Sequence, residues 1–223
     1  MNPLLHGHNP DTHLIALHQH GENQMRLYYR RDGTTTSEDV DFYPFFFLSE
    51  KKYLEGFPKK HWVKELAGTN HYKHLCAFTR WSDMWEGVNF TLQKYNQSIE
   101  PKVLSYTEAD FLLVRPDASM QYLLESGRTL FKGMKFEDLY RLQLDIETYS
   151  RQRFSKAERS EDRIVLIALS DSRGWEHIID GRKKSEPEML RELVEVINEK
   201  DPDVLEGHNI FHFDLPYILK RCT

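Results

Sequence analysis

The first part of the chain alternates apolar and polar positions in short runs, a pattern typical of β-strands. One stretch differs: over residues 82–96 apolar side chains recur every three or four positions, which predicts a helix. We therefore predict a β-rich N-terminal domain over residues 1–135. Its strands are predicted over residues 13–17, 25–30 and 42–48.

The pattern changes near residue 136. The predicted order is three strands, a helix, a strand and a last helix that opens at Asp214. The first of these helices has a capping box, because Glu188 follows Ser185 by three positions. This order predicts an α/β (α+β) domain with a mixed sheet over residues 136–223. The four strands are predicted over residues 140–147, 164–169, 175–179 and 203–207.

Composition narrows the class of protein. With 39% hydrophobic and 29% charged residues and no long apolar run, we expect a globular protein without a membrane partner. Two cysteines cannot form a disulfide framework, which favours a cytoplasmic location. Residues 136–223 carry 14 basic and 19 acidic side chains, and this excess of acids accounts for the whole net charge of −5 of the chain. This argues against a basic nucleic-acid coat protein, but not against an enzyme that acts on nucleic acid.

Two carboxylates, Asp145 and Glu147, lie two positions apart near the end of a predicted strand. Side chains at this spacing project from the same face of a strand, and each acid raises the pKa of the other unless a cation lies between them. The pair therefore indicates a divalent metal site. An exposed strand end with two solvated charges is the alternative.

A third acid, Asp214, begins a predicted helix after the strand at 203–207. The positive end of a helix dipole favours an ionised carboxylate there, and ligands of α/β sheets bind at the carboxyl ends of strands. Three oxygen ligands suit Mg²⁺ or Mn²⁺ better than zinc.

These residues carry a resemblance to a known family. Residues 144–148 (LDIET) resemble the first exonuclease motif, Asp-x-Glu, of the family B DNA polymerases. Residues 201–217 (DPDVLEGHNIFHFDLPY) resemble the second, Asn-x-x-x-Phe-Asp with its flanks, and this longer motif is the more specific. The chain is thus similar to the N-terminal domain and first part of the 3′→5′ exonuclease domain of a family B polymerase.

The resemblance implies a ribonuclease-H-like fold that proofreads DNA with two Mg²⁺ or Mn²⁺ ions. It implies that Asp145 bridges both metals, Glu147 binds one metal and the attacking water, and Asp214 serves the second metal. Asn209 and Phe213 would hold the single-stranded 3′ end. It further implies primer–template DNA and the remainder of a polymerase chain as partners, with a nucleoid-associated location in a bacterial or archaeal cell.

The family's third exonuclease motif, Tyr-x-x-x-Asp, has no match in the nine residues after Asp214. A match at Tyr106 and Asp110 precedes the first motif, so we interpret it as a coincidence. The family's polymerase motifs do not occur. We therefore expect a truncated exonuclease domain, weakly active or inactive by itself.

Two other functions stay open at this point. One is a stand-alone Asp-Glu-Asp-Asp type exonuclease, including one that acts on RNA. The other is a non-catalytic nucleic-acid-binding module that kept the fold. A charged loop over residues 151–163 could meet DNA phosphates through its five cations, but its three acids favour a mobile solvated loop.

Overall fold

A computed structural model describes residues 7–222. The chain divides into two compact units, one up to Gly133 and one from Met134 onward. Among the helices of residues 7–222, none is long and apolar enough to cross a membrane.

Over residues 7–133, the first unit contains two antiparallel sheets, with strand orders β1-β2-β3 and β5-β6-β4-β7. Its two helices are α1 (Trp81–Tyr95) and α2 (Ala118–Ser126). The strands are β1 (Leu14–Gln19), β2 (Gln24–Arg31), β3 (Thr34–Asp41), β4 (Phe45–Leu48), β5 (His61–Glu65), β6 (His74–Phe78) and β7 (Leu112–Val114).

Two differences from the sequence prediction have clear causes. The predicted strand at 42–48 shortens to β4, because Pro44 has no N–H for a ladder and Phe42 packs in the core beside the other sheet. Strand β3 is not predicted, because it is an edge strand with mostly exposed side chains and its sequence does not alternate between apolar and polar residues.

The second unit is a single mixed sheet with two helices, which confirms the predicted α/β arrangement. The strand order is β10-β9-β8-β11, and β11 runs parallel to β8 while the other pairs are antiparallel. The elements are β8 (Arg141–Thr148), β9 (Ile164–Asp171), β10 (Glu176–Asp180), α3 (Glu186–Lys200), β11 (Val204–Glu206) and α4 (Asp214–Arg221).

Helix α3 begins as its sequence predicts. The Ser185 backbone N–H donates to the Glu188 carboxylate at 2.8 Å, which completes the capping box. Met189 is fully buried against the sheet core, and a buried side chain of this size contributes about 1.5–3 kcal/mol. Val194 follows the buried Leu193 in this helix and is itself exposed.

The side chains of strand β8 alternate between the two faces of this sheet. Leu142, Leu144 and Ile146 alternate inward and belong to the buried core with α3 and α4. The intervening side chains, which include Asp145 and Glu147, project from the opposite face and are exposed. The alternation thus leaves both carboxylates uncovered at the carboxyl end of a central strand.

Candidate active site

Asp145 and Glu147 lie on the open face of β8, as the sequence predicts. Their Cα atoms are about 7 Å apart along the strand, from the rise per residue. Asp145 pairs in register with Ala168 of β9, and Glu147 with Leu166. The two acids therefore stand side by side on an otherwise largely apolar part of the sheet.

A shallow pocket of about 220 Å³ adjoins Asp145 on this face. Ala168 lies opposite Asp145 in the sheet, and the exposed side chain of Ile178 lies opposite Ala168. Directly opposite residues share a face. The pocket therefore places an apolar surface beside the carboxylate, which can receive the flat face of a sugar or base.

Asp214 begins α4 and is only 2% exposed. Its Oδ1 accepts a hydrogen bond from the backbone N–H of Ile146 at 3.1 Å, between Asp145 and Glu147 in the sequence. The paired part of β11 ends at Glu206, opposite Gln143. Strand β11 therefore stops pairing with β8 before Ile146. The Asp214 carboxylate accepts the hydrogen bond of the Ile146 N–H instead.

Gly207, the residue after β11, allows this approach. A Cβ atom added here would lie 2.5 Å from the Leu144 carbonyl oxygen, closer than real Cβ contacts come. The glycine therefore lets the chain pass close beside β8 before it turns toward Asp214. Sequence reasoning missed this role, although a glycine directly after a short strand is the signal for a close backbone approach.

Asn209 occupies the turn between β11 and α4. Its φ of 55° lies in the left-handed region, which asparagine tolerates better than most residues. Its carbonyl oxygen accepts from the N–H groups of His212 and Phe213, at 3.0 and 3.1 Å. Its side chain is exposed and lines a second pocket of about 380 Å³.

The two phenylalanines of this turn differ in exposure. Phe213 is half-buried, and its ring centre lies 5.4 Å from that of Tyr217. Phe211 is 76% exposed and lines the pocket that Asn209 also lines. The structure thus gives the turn a free aromatic side chain that the sequence motif does not include.

The three acids supply the oxygen donors that a hard divalent cation prefers. Asp145 and Glu147 share one face of β8, and the Asp214 carboxylate contacts the backbone between them. Over residues 7–222, no three His, Cys, Asp or Glu side chains converge closely enough to form a metal cluster. The carboxylate oxygens therefore fit a divalent cation such as Mg²⁺ or Mn²⁺. One oxygen of the Asp214 carboxylate already accepts a hydrogen bond from the Ile146 N–H.

The loop between β8 and β9 is held at its base by Asp162, a buried residue for which the sequence offers no signal. Its Oδ2 accepts from the Lys156 backbone N–H at 2.9 Å and from Arg159 Nη1 at 3.2 Å. Burial alone would raise the pKa of Asp162, but these hydrogen bonds and the Arg159 charge outweigh it and lower that pKa.

Helix α4 braces the same loop. The Tyr217 hydroxyl donates to the Asp162 carbonyl at 2.7 Å, and burial raises the pKa of that phenol. Arg221 donates to the Arg159 carbonyl at 3.0 Å and forms a bidentate ion pair with Glu186. The helix that carries Asp214 thus also fixes the loop that follows Glu147.

We expect Asp214→Ala to lower the free energy of unfolding by about 1–3 kcal/mol, because it leaves the buried Ile146 N–H without an acceptor. Asp214→Asn keeps an oxygen at the same place and should cost less. Urea unfolding of the two variants checks this. Equal losses in both would show that the hydrogen bond to Ile146 does not stabilise the fold.

Comparisons with known proteins point to the same family that the two sequence motifs resemble. Residues 176–223 match the family model described as DNA polymerase family B, exonuclease domain. The chain is 38% identical over 112 residues to DNA polymerase 1 of Pyrococcus abyssi, covering 46% of this chain and 14% of that protein. It is 32% identical over 133 residues to a DNA polymerase of Thermococcus aggregans, covering 55% of this chain and 7% of that protein.

The fold resembles the structure of the family B DNA polymerase from Pyrobaculum calidifontis, with a TM-score of 0.61 and 19% identity. That match covers 93% of this chain and 31% of the polymerase. The chain therefore spans a minor part of the length of these proteins. Together, the matches support a fragment of a family B DNA polymerase, with residues 176–223 similar to the exonuclease domain of that family.

Proposed function

We propose that the second unit contributes to a 3′→5′ proofreading exonuclease that hydrolyses DNA with two Mg²⁺ or Mn²⁺ ions. The observation that supports this most strongly is the exposed Asp145–Glu147 pair with the Asp214 carboxylate bound to the backbone between them. The parent protein is proposed to be a DNA polymerase, with primer–template DNA as its substrate.

Each acid has a separate task in this proposal. Asp145 and Glu147 would hold the divalent ions on the open face of β8, and Glu147 would orient the attacking water. When bound, such ions stabilise the attacking and leaving oxygens of a phosphodiester. Asp214 accepts a hydrogen bond from the Ile146 N–H of β8 and would also serve as a ligand of the second ion.

The turn between β11 and α4 is proposed to hold the frayed 3′ end. Asn209 presents an exposed side chain beside a pocket, and it can hydrogen-bond a sugar or phosphate oxygen. Phe213 packs on Tyr217 and would contact the sugar or base with its exposed part. A single strand bound here would run along the carboxyl end of β8.

The test is Mn²⁺-dependent release of a 3′-terminal label from single-stranded DNA by this chain, with Asp145→Ala as the matched variant. We expect slow release or none, since the Asp214 carboxylate accepts a hydrogen bond from the Ile146 N–H and no three acidic, His or Cys side chains converge over residues 7–222. Any release should need the metal and disappear in Asp145→Ala.

Three outcomes would contradict parts of this proposal. If the chain digests DNA robustly and Asp145→Ala abolishes the digestion, Asp145, Glu147 and Asp214 suffice for catalysis. This result would contradict the expected slow release. Metal-independent binding of DNA, with no Mn²⁺ bound at all, would favour the non-catalytic binding module. Faster release from RNA than from DNA would favour the stand-alone nuclease that acts on RNA.

A further inference from the structure

Strand β5 lies at one edge of the four-stranded sheet in the first unit and is exposed along most of its length. Among residues 7–222, only β6 pairs with it. Trp62 is 46% exposed and Val63 is 41% exposed, and the next two residues, Lys64 and Glu65, are exposed as well. An uncovered edge strand with apolar side chains is a surface on which another strand can pair.

The hydrogen bonds of the sheet show which residues of β5 bond to β6. In an antiparallel pair, every second residue directs its N–H and C=O groups to the same neighbour. The Leu66 N–H, just after β5, donates to the carbonyl of Lys73, just before β6, at 2.7 Å. Lys64 and Trp62, two and four positions earlier, therefore also bond to β6.

The remaining residues of β5 present free backbone groups. By the same alternation, His61, Val63 and Glu65 direct their N–H and C=O groups away from the sheet. Their side chains share one face of the strand, while Trp62 and Lys64 share the other. The outer edge of β5 therefore offers three donors and three acceptors at the spacing of an antiparallel partner.

The sequence of β5 is complementary to itself when two copies pair antiparallel about Val63. Each Val63 then exchanges two hydrogen bonds with Val63 of the second copy, and each His61 does so with Glu65. On the other face Trp62 lies opposite Lys64, and an ammonium group beside an indole ring is a favourable contact. Opposite positions therefore carry no like charges, which would destabilise the pair.

Other alignments of the two strands are less favourable. A pairing centred on Lys64 would place that lysine opposite its own copy, and one centred on Trp62 would place Lys60 opposite Lys64. In the pairing about Val63, Lys60 lies opposite Leu66 instead. Because the same patch is used on both copies, this pairing closes into a dimer and does not extend into a fibre.

Trp62 is already ordered for such a contact. Its ring centre lies 5.9 Å from that of Tyr43 in an edge-to-face arrangement. Lys60 Nζ lies 5.3 Å from the centre of the indole, so the ring is accessible to an ammonium group. A side chain that is ordered beforehand loses less conformational entropy when it binds.

We propose that two copies of the chain associate by antiparallel pairing of β5 about Val63. The pairing joins two four-stranded sheets into one sheet and forms six main-chain hydrogen bonds, two at each of three residue pairs. A contact of five residues on each copy is small, so the dimer is weak and forms at high protein concentration. This association uses the first unit alone and does not depend on the carboxylates of β8.

The test is sedimentation velocity of the whole chain over a series of concentrations, at which the wild type should approach the mass of a dimer. Val63→Pro removes an N–H that points outward, a change that edge strands tolerate, so the variant should fold. Its dimer dissociation constant should rise at least about tenfold, because the two central hydrogen bonds are lost.

Ser37→Pro is the matched control on β3, an edge strand of the other sheet. The Phe42 N–H donates to the Asn23 carbonyl at 2.8 Å, so by the same alternation the Ser37 N–H also points outward. This variant should dimerise as the wild type does, and circular dichroism checks that both proline variants fold.

Disulfide formation tests the alignment of the two strands. In a Cys222→Ser background, which removes an exposed native thiol, Val63→Cys places two thiols on the twofold axis. Their Cα atoms would lie about 5.5 Å apart, within the range of a disulfide. Glu65→Cys would place the two Cα atoms about 14 Å apart. Mild oxidation should therefore give a covalent dimer of Val63→Cys alone.

Several results would overturn the proposal. A chain that stays monomeric at every concentration, or a dimer that Val63→Pro leaves intact, would exclude pairing through β5. Equal cross-linking of Val63→Cys and Glu65→Cys would exclude the alignment about Val63. Binding of a fluorescein-labelled peptide of alternating Glu and Val by a chain that stays monomeric, lost in Val63→Pro, would assign this edge to a foreign acidic strand instead.

Discussion

Asp145→Asn is expected to weaken Mn²⁺ binding by at least about 100-fold, since even groups that only support a metal ligand change affinity by about 10–100-fold. The reason is geometric. Asp145 projects from the middle of the open face of β8, and the other carboxylate on this face, Glu147, is two residues further along the strand. The substitution keeps size and hydrogen-bonding capacity, and it removes only the negative charge.

The measurement is the loss of the free Mn²⁺ electron paramagnetic resonance signal during a titration at neutral pH. Glu176→Gln is the matched control, because Glu176 is an exposed acid that lines the same pocket as Asp145. It should bind Mn²⁺ as the wild type does. Equal losses in both variants would mean that the ion is held only by the general negative charge of this face.

Gly207→Ala is expected to lower the free energy of unfolding by about 1–3 kcal/mol, the usual cost of forcing atoms into a packed site. The new methyl group would meet the Leu144 carbonyl oxygen, a backbone atom in the centre of the sheet that cannot rotate away. The chain between β11 and Asp214 must then shift away from β8. The Asp214–Ile146 hydrogen bond should lengthen or break as a result.

Thermal and urea unfolding of Gly207→Ala check this prediction. Phe211→Ala is the control in the same turn, and as an exposed residue it should change stability by no more than about 0.5 kcal/mol. An unchanged stability for Gly207→Ala, or a loss no larger than that of Phe211→Ala, would show that the close approach to Leu144 is not required.

Much of the second unit is predictable from local signals. The strand alternation of β8, the capping box of α3 and the helix start at Asp214 each depend on residues that are near one another in the sequence. The exposed positions of Asp145 and Glu147 follow from the same alternation. These features are confirmed because no distant contact competes with them.

Other features depend on contacts between distant residues. Nothing near Asp214 in the sequence indicates that its carboxylate accepts from Ile146, 68 positions away. The burial of Asp162 and its support by Tyr217 likewise arise only when α4 packs beside the loop. The sequence also does not predict edge strand β3, because its polar side chains face solvent and give no apolar pattern. The sequence pattern therefore predicts the elements, while the connections that position the site come from tertiary packing.

We propose that Asp145, Glu147 and Asp214 together form a site for divalent metal ions. Anomalous scattering from crystals of the chain soaked in Mn²⁺ tests it most directly, because it locates each ion. We expect a manganese peak bound by Asp145 and Glu147, with Asp214 as a direct or water-mediated ligand, and no such peak in Asp145→Asn. Manganese found only at other carboxylates, with this face of β8 empty, would contradict it.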